Sequence, residues 1–119
     1  MVPRTYADGA AIGVSMLCMA HCLALPALLA VAPWFVPGFF ADERFHAIAV
    51  AFALPVSAFA LAGTLQARPL IVVLAAAGLT LLLIATFVHE EALETGLTVT
   101  GAALVALAHL RNLMVRSAH

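Results

Sequence analysis

Charged residues divide the chain into four long apolar stretches. No charged residue lies between Asp8 and Asp42, and the next two gaps cover residues 45–67 and 69–89. A fourth stretch covers residues 95–110 and can continue to about residue 115, because arginine side chains near a helix end reach the membrane surface. A membrane-crossing helix needs about 20 mostly apolar residues. The pattern therefore predicts four helices, over about residues 9–32, 45–66, 69–89 and 95–115.

The composition requires a membrane around these helices. Of the 119 residues, 66% are hydrophobic and only 9% are charged. Soluble domains are about 45–50% apolar and about 25% charged, so this chain has too few charges to cover a surface in water. The same composition excludes a disordered chain, a basic nucleic-acid-binding protein and a disulfide-rich secreted scaffold. We predict an all-α integral membrane protein, a four-transmembrane-helix bundle that forms a single domain over residues 1–119.

The few charges separate by sign between the two ends of the predicted bundle. Because arginine-rich loops remain on the cytoplasmic side, we expect both termini to lie in the cytoplasm. The lipid bilayer is the expected partner of the apolar helices. The cytoplasmic end would carry Arg4, Arg68, Arg111 and Arg116 with Asp8, and the outer end Asp42, Glu43, Glu90, Glu91 and Glu94 with Arg44.

The first predicted helix carries the most informative polar group. Ser15, Cys18, His21 and Cys22 share one arc of about 120° on the helix. The two cysteines and the histidine interrupt the apolar run in a way that argues against a cleaved signal peptide. Cβ atoms four residues apart are separated by about 5–6 Å, whereas a disulfide needs about 3.8 Å. Two thiolates at this spacing suit one soft metal ion. Pro26 frees the carbonyl of Cys22 and predicts a kink just beyond the thiols.

Histidines on the second and fourth helices are further candidate ligands. His109 is the only ionisable residue well inside the fourth helix. If the first helix leaves the membrane near Ala32 and the fourth enters near Thr95, Cys18 and His109 both lie about 21 Å below the surface. This depth predicts one cluster of Cys18, His21, Cys22 and His109. The second helix presents a narrow face of small or weakly polar residues, which we expect to point into the bundle: His46, Val50, Ala53, Ser57, Ala60 and Thr64.

The outer end of the bundle combines one histidine with several acids. His89 is a candidate ligand at the end of the third helix. We expect the acids beside it to attract cations by raising their local concentration. These acids are Glu90, Glu91 and Glu94.

Three segments carry a resemblance to a known family. They are the run Leu17–Cys22 followed by Pro26, the pair Phe45-His46, and the run Ala108–Asn112. Together they resemble the MerC family of mercury-resistance membrane proteins, over nearly the whole chain from about residue 13 to 116. The resemblance implies a protein of the bacterial inner membrane that is not an enzyme. It also implies that Cys18 and Cys22 bind mercuric ion during its uptake.

One departure from the family pattern broadens the expected cargo. Mercury-resistance members carry another cysteine pair near the cytoplasmic C-terminus, whereas residues 111–119 contain no cysteine. Zinc or copper is therefore an alternative metal, and the histidines suit those borderline ions. We expect the ion to pass His46 and His89, reach the cysteines and leave past Asn112. A homo-oligomer is also expected, because one four-helix bundle leaves little room for a pathway.

Three other interpretations stay open on the sequence alone. A thiol oxidoreductase would use Cys18 and Cys22 as a redox pair that exchanges with partners. A haem or di-metal protein would use His21 and His109 as facing ligands between helices. A packing subunit would use the same polar residues only to hold helices together.

Overall fold

The part of the chain that the structure describes forms four α-helices. The computed structural model describes residues 3–32, 34, 44–64 and 66–117, except for the side chains of residues 25, 26, 29, 30 and 117. These described residues contain no strand. The helices are α1 (Arg4–Val31), α2 (Arg44–Leu61), α3 (Pro69–Ala85) and α4 (Glu91–Ser117).

Three of the helices contain apolar segments long enough to cross a bilayer. They are Arg4–Ala24 within α1, Arg44–Leu61 of α2 and Glu91–Arg116 of α4. α3 is apolar but has only 17 residues. At about 1.5 Å per residue it spans about 25 Å, against about 30 Å for the hydrocarbon core. The prediction of an all-α membrane bundle is confirmed, with three long apolar spans and one shorter apolar helix.

α4 begins at Glu91 rather than near residue 95 because a side chain caps its first turn. The Glu90 carboxylate accepts hydrogen bonds from the backbone N–H groups of Ala92 and Leu93, at 3.1 and 2.7 Å. These N–H groups have no partner within the helix, so a side-chain acceptor at this position stabilises the helix start. The early start brings Glu94 into the first turn of α4.

Some predictions fall outside the described residues. They concern the acids Asp42 and Glu43, which we expected at the outer end. The kink expected at Pro26 is also untested, because that side chain lies outside the described set.

α1 and α4 form most of the interfaces in the bundle. α4 packs extensively against α3 and α1, whereas α2 packs chiefly against α1. Where α3 and α4 cross, Gly78 and Gly101 face each other. A Cβ atom added to either glycine would lie 2.6 or 2.7 Å from the carbonyl oxygen of the other. Glycine at both positions therefore lets the two backbones touch, as small residues do between membrane helices.

The polar face predicted on α2 points inward, as expected. All six of its residues, from His46 to Thr64, are buried. Large apolar side chains instead cover the outside of the bundle, including Leu17, Phe52, Val73 and Leu107. A surface of this kind suits contact with lipid chains, so the polar groups inside the bundle are the candidates for function.

Candidate metal centre

Three potential metal ligands converge between α1 and α2. One ligand atom each from His21, Cys22 and His46 lies within 4.8 Å of the other two. His21 and Cys22 are adjacent on α1, and His46 lies in the first turn of α2. Cys22 and His46 are buried, and His21 is half-buried. These three residues and Glu94, which contacts His46, are called the thiol cluster below.

Glu94 orients the His46 ring toward the thiol. The Nδ1 atom of His46 lies 3.3 Å from Glu94 Oε1, and its Nε2 atom lies 3.0 Å from Cys22 Sγ. Because a carboxylate only accepts hydrogen bonds, we assign the ring proton to Nδ1. The lone pair of Nε2 then points at the sulfur. Many metal-binding histidines are held in this way by a carboxylate on the other ring nitrogen.

Aromatic contacts and a hydroxyl group complete the surroundings of the thiol cluster. The His21 ring stacks on Phe45, with centroids 4.3 Å apart and planes 12° apart. It also meets His46 edge-on at 4.7 Å. The Thr98 hydroxyl is buried beside the Cys22 sulfur. Among the described atoms it makes no hydrogen bond to oxygen or nitrogen, so it is available to donate to a thiolate.

Cys18 is close to this cluster but belongs to the apolar core. Both cysteines are free and buried. Cys18 packs in one apolar group with Val50, Leu82 and Val105, and its sulfur is not among the converging ligand atoms of the described residues. One helical turn, about 6 Å, separates Cys18 from Cys22 along α1. The two thiols are therefore successive positions along the bundle and have different surroundings.

His109 belongs to a second polar cluster, away from the cysteines. Its Nδ1 atom donates to Asp8 Oδ1 at 2.6 Å, and its Nε2 atom accepts from the Ser57 hydroxyl at 3.0 Å. All three side chains are almost completely buried. Both ring nitrogens already have protein partners, so neither can bind a metal unless a hydrogen bond breaks. The single cluster expected from equal depth, which placed His109 with Cys18, is not formed.

The second cluster joins three helices. Asn112 donates from Nδ2 to both Asp8 oxygens, at 3.0 and 2.8 Å. The Thr64 hydroxyl donates to Asn112 Oδ1 at 3.0 Å. We call Asp8, Ser57, His109 and Asn112 the carboxylate network. His46 and Ser57 are 11 residues apart on α2, so this network and the thiol cluster are about 16 Å apart along the helix.

The remaining candidates at the acidic end have separate roles. His89 and Glu91 are exposed, and Glu90 caps α4. Only Glu94, at 29% side-chain exposure, reaches from the surface to the ring of His46. The three acids therefore have different positions: Glu90 caps a helix, Glu91 is exposed and Glu94 contacts the candidate site.

A protein-family model matches almost the entire chain. The profile of the MerC family, described as MerC mercury resistance protein, matches residues 8–114. The chain belongs to the MerC family. No curated protein and no solved structure matches it significantly. Membership identifies this MerC chain as a multi-pass membrane protein of a mercury-resistance family.

The position of Asp8 in this MerC chain differs from the one that the charge pattern predicts. The pattern places Asp8 at the cytoplasmic surface, yet its carboxylate is fully buried. A signal existed, because Asp8, Ser15 and Cys22 recur every seven residues and so share one helix face. The positions of Phe45 and Thr98 beside the ligands were not predicted either, since neither side chain ionises and both positions depend on contacts between helices.

Proposed function

We propose that this MerC chain holds a soft or borderline divalent metal cation within the membrane and passes it across. The observation that carries the proposal is the convergence of His21, Cys22 and His46 in a buried site. A thiolate and two imidazoles are ligands for zinc, copper and softer ions. Family membership favours mercuric ion as cargo, and the two imidazoles favour zinc or copper as the alternative.

The separation of the ligand atoms supports this proposal. Zinc–sulfur and zinc–nitrogen bonds of about 2.3 and 2.0 Å place two tetrahedral ligands about 3.5 Å apart. The Cys22 Sγ and His46 Nε2 atoms are 3.0 Å apart without an ion. For this pair of ligands, an ion would need to push the two side chains apart by about half an ångström. Small side-chain rotations of Cys22 and His46 provide that movement.

Three ligands leave one tetrahedral position open. Structural zinc sites are closed by four protein ligands, whereas sites that exchange a ligand keep one position free. A transported ion must leave its site, so an incomplete ligand set suits transport better than storage. Cys18 lies about 6 Å further along α1 and is our candidate for the next ligand on the path.

Glu94 is our candidate for the entrance. Its carboxylate is partly exposed and contacts the buried His46 ring. A carboxylate at this position would attract a cation electrostatically and hold the imidazole in the binding tautomer. With arginines at the opposite end, we propose entry from the outer face, both termini in the cytoplasm and a location in the bacterial inner membrane. We propose that residues 1–119 act as one domain.

Binding would release protons. Cys22 must lose its thiol proton to become a ligand, so metal affinity falls as the pH is lowered. We expect about one proton released per ion bound at the thiol cluster. A pH-indicator titration during metal addition measures this number, and no proton release with unchanged affinity at low pH would contradict a thiolate ligand.

The proposal is tested by retention of Zn²⁺ in the presence of a competing chelator. This competitor removes ions held by one ligand and leaves those held by several ligands. We expect the wild-type chain and His89→Ala to retain one ion each, and Cys22→Ser and His46→Ala to retain none. His89→Ala is the matched control, because it removes an exposed histidine from the same end. Equal retention by wild type and Cys22→Ser would overturn the proposal.

A further inference from the structure

Arginines line a cavity at the end of the bundle opposite the thiol cluster. This cavity of about 350 Å³ lies between the start of α1 and the ends of α2 and α4, and is lined in part by Arg4, Arg68 and Arg116. Thr64 and Asn112 add polar groups to its wall. No acidic residue of the described chain lines it. The nearest carboxylate, that of Asp8, is buried 3.9 Å from Arg116 Nε, so the cavity is positively charged.

One of these arginines is fixed in place. Arg116 donates from Nη2 to the carbonyl oxygen of Ala60 at 2.8 Å. A guanidinium group has five N–H donors, so this bond leaves others available. Arg4 and Arg68 are exposed. The cavity therefore presents one anchored and two exposed guanidinium groups to any anion that enters.

A second, apolar cavity adjoins the first. It has a volume of about 330 Å³ and shares Arg68 and Val115 with the arginine-lined cavity. Its other lining residues are Arg111 together with Leu70, Ile71 and Met114. Leu70 and Met114 are more than half exposed on the lipid-facing surface. The two cavities thus join a cationic pocket to an apolar groove that opens toward lipid.

We propose that these joined cavities bind one anionic phospholipid, with its phosphate at Arg4, Arg68 and Arg116 and an acyl chain along Ile71 and Met114. Guanidinium groups bind phosphate through paired hydrogen bonds. Basic pockets between membrane helices are recognition sites for anionic headgroups. Arginines at helix ends meet headgroups in general. Here three of them converge on one cavity that continues into an apolar groove. Because the groove can hold an acyl chain, the site favours a lipid over a free anion.

The test uses the purified full chain in detergent, with melting temperature and native mass spectrometry as readouts. We expect phosphatidylglycerol to raise the melting temperature and to remain bound at one lipid per chain. Phosphatidylcholine and inorganic phosphate should do neither. A comparable rise in melting temperature with phosphatidylcholine would show that the site does not select anionic lipids and would overturn the proposal. A comparable rise with inorganic phosphate would overturn it as well, because no acyl chain would then be needed.

Variants locate the site. Arg68→Gln removes the guanidinium shared by both cavities and should weaken phosphatidylglycerol binding about fivefold. Arg44→Gln, at the opposite end of α2, is the matched control and should bind as wild type. Arg111→Gln provides a second test if Arg68→Gln does not fold. Equal weakening by Arg44→Gln would show non-specific attraction and overturn the proposal. None of these outcomes depends on metal binding, so this inference and the proposed function can fail separately.

Discussion

The thiol cluster and the carboxylate network are both buried polar groups built around a histidine, yet they differ in the partners that the histidine ring meets. In the carboxylate network, His109 has a buried carboxylate and a hydroxyl as partners, at 2.6 and 3.0 Å, and Asn112 bonds both oxygens of Asp8. In the thiol cluster, His46 meets the Cys22 thiol at 3.0 Å and the partly exposed carboxylate of Glu94 at 3.3 Å.

This difference separates two uses of polar residues inside a membrane protein. Unsatisfied polar groups are costly in hydrocarbon, so a closed network stabilises the arrangement of helices that completes it. In the thiol cluster the partner of the imidazole nitrogen is itself a metal ligand, so a cation can replace the proton that the two share. We therefore interpret the carboxylate network as a structural connection and the thiol cluster as the metal site.

The largest effect should come from Asp8→Ala. This change leaves the His109 imidazole and the Asn112 amide buried without their shared acceptor, at a cost of about 3 kcal/mol or more. We expect a strongly lowered melting temperature in detergent, with one metal ion still bound per folded chain. A wild-type melting temperature would show that the network does not hold the helices together.

Alanine substitutions of the two histidines should have opposite consequences. His46→Ala removes a proposed ligand and should lower metal affinity about 100-fold while changing the melting temperature little. His109→Ala should cost about 2 kcal/mol of stability and leave metal affinity unchanged. Thermal melts and metal titrations on both variants measure these effects. If His109→Ala abolished metal binding, the division into a structural and a metal-binding cluster would be wrong.

A smaller effect is expected from Glu94→Gln. The amide keeps the size of the side chain but removes its charge and weakens its hold on the His46 ring, so metal affinity should fall about tenfold. Glu91→Gln is the matched control, because Glu91 is an exposed acid on the same turn. Equal losses for the two variants would indicate a general electrostatic attraction and no specific role for Glu94.

The smallest effect is expected from Thr98→Val, which preserves shape and removes the hydroxyl beside Cys22. Loss of one hydrogen bond to the thiolate should reduce metal affinity about threefold. Because this hydroxyl makes no other hydrogen bond to oxygen or nitrogen among the described atoms, stability should stay the same or rise slightly. Unchanged affinity, measured by the same titration, would show that Thr98 does not support the thiolate.

Helical periodicity predicted the buried faces well. The stripe from His46 to Ala60 on α2 was identified from spacing alone, because the composition of one face reflects its packing. The inward direction of Cys22 and His109 followed in the same way. These results depend only on the register within one helix, which the sequence determines directly.

The pairing between helices could not be predicted in the same way. Equal depth suggested that Cys18 and His109 meet, but that estimate took the membrane boundaries of α1 and α4 as fixed. α4 starts about one turn earlier than assumed because Glu90 caps it, and α1 starts at Arg4 and so includes Asp8. Asp8 then pairs with His109, and His46 meets Cys22. Which histidine meets which partner depends on how far neighbouring helices are shifted along one another. The residue pattern of a single helix does not contain this information.

X-ray absorption spectroscopy of the chain loaded with one equivalent of Zn²⁺ identifies the atoms that bind the metal. We expect one sulfur and two imidazole nitrogens around zinc, from Cys22, His21 and His46, with the same spectrum in Cys18→Ser and loss of the sulfur signal in Cys22→Ser. Two sulfur ligands in the wild-type chain, with one lost in Cys18→Ser, would contradict it and would make the two cysteines a single site.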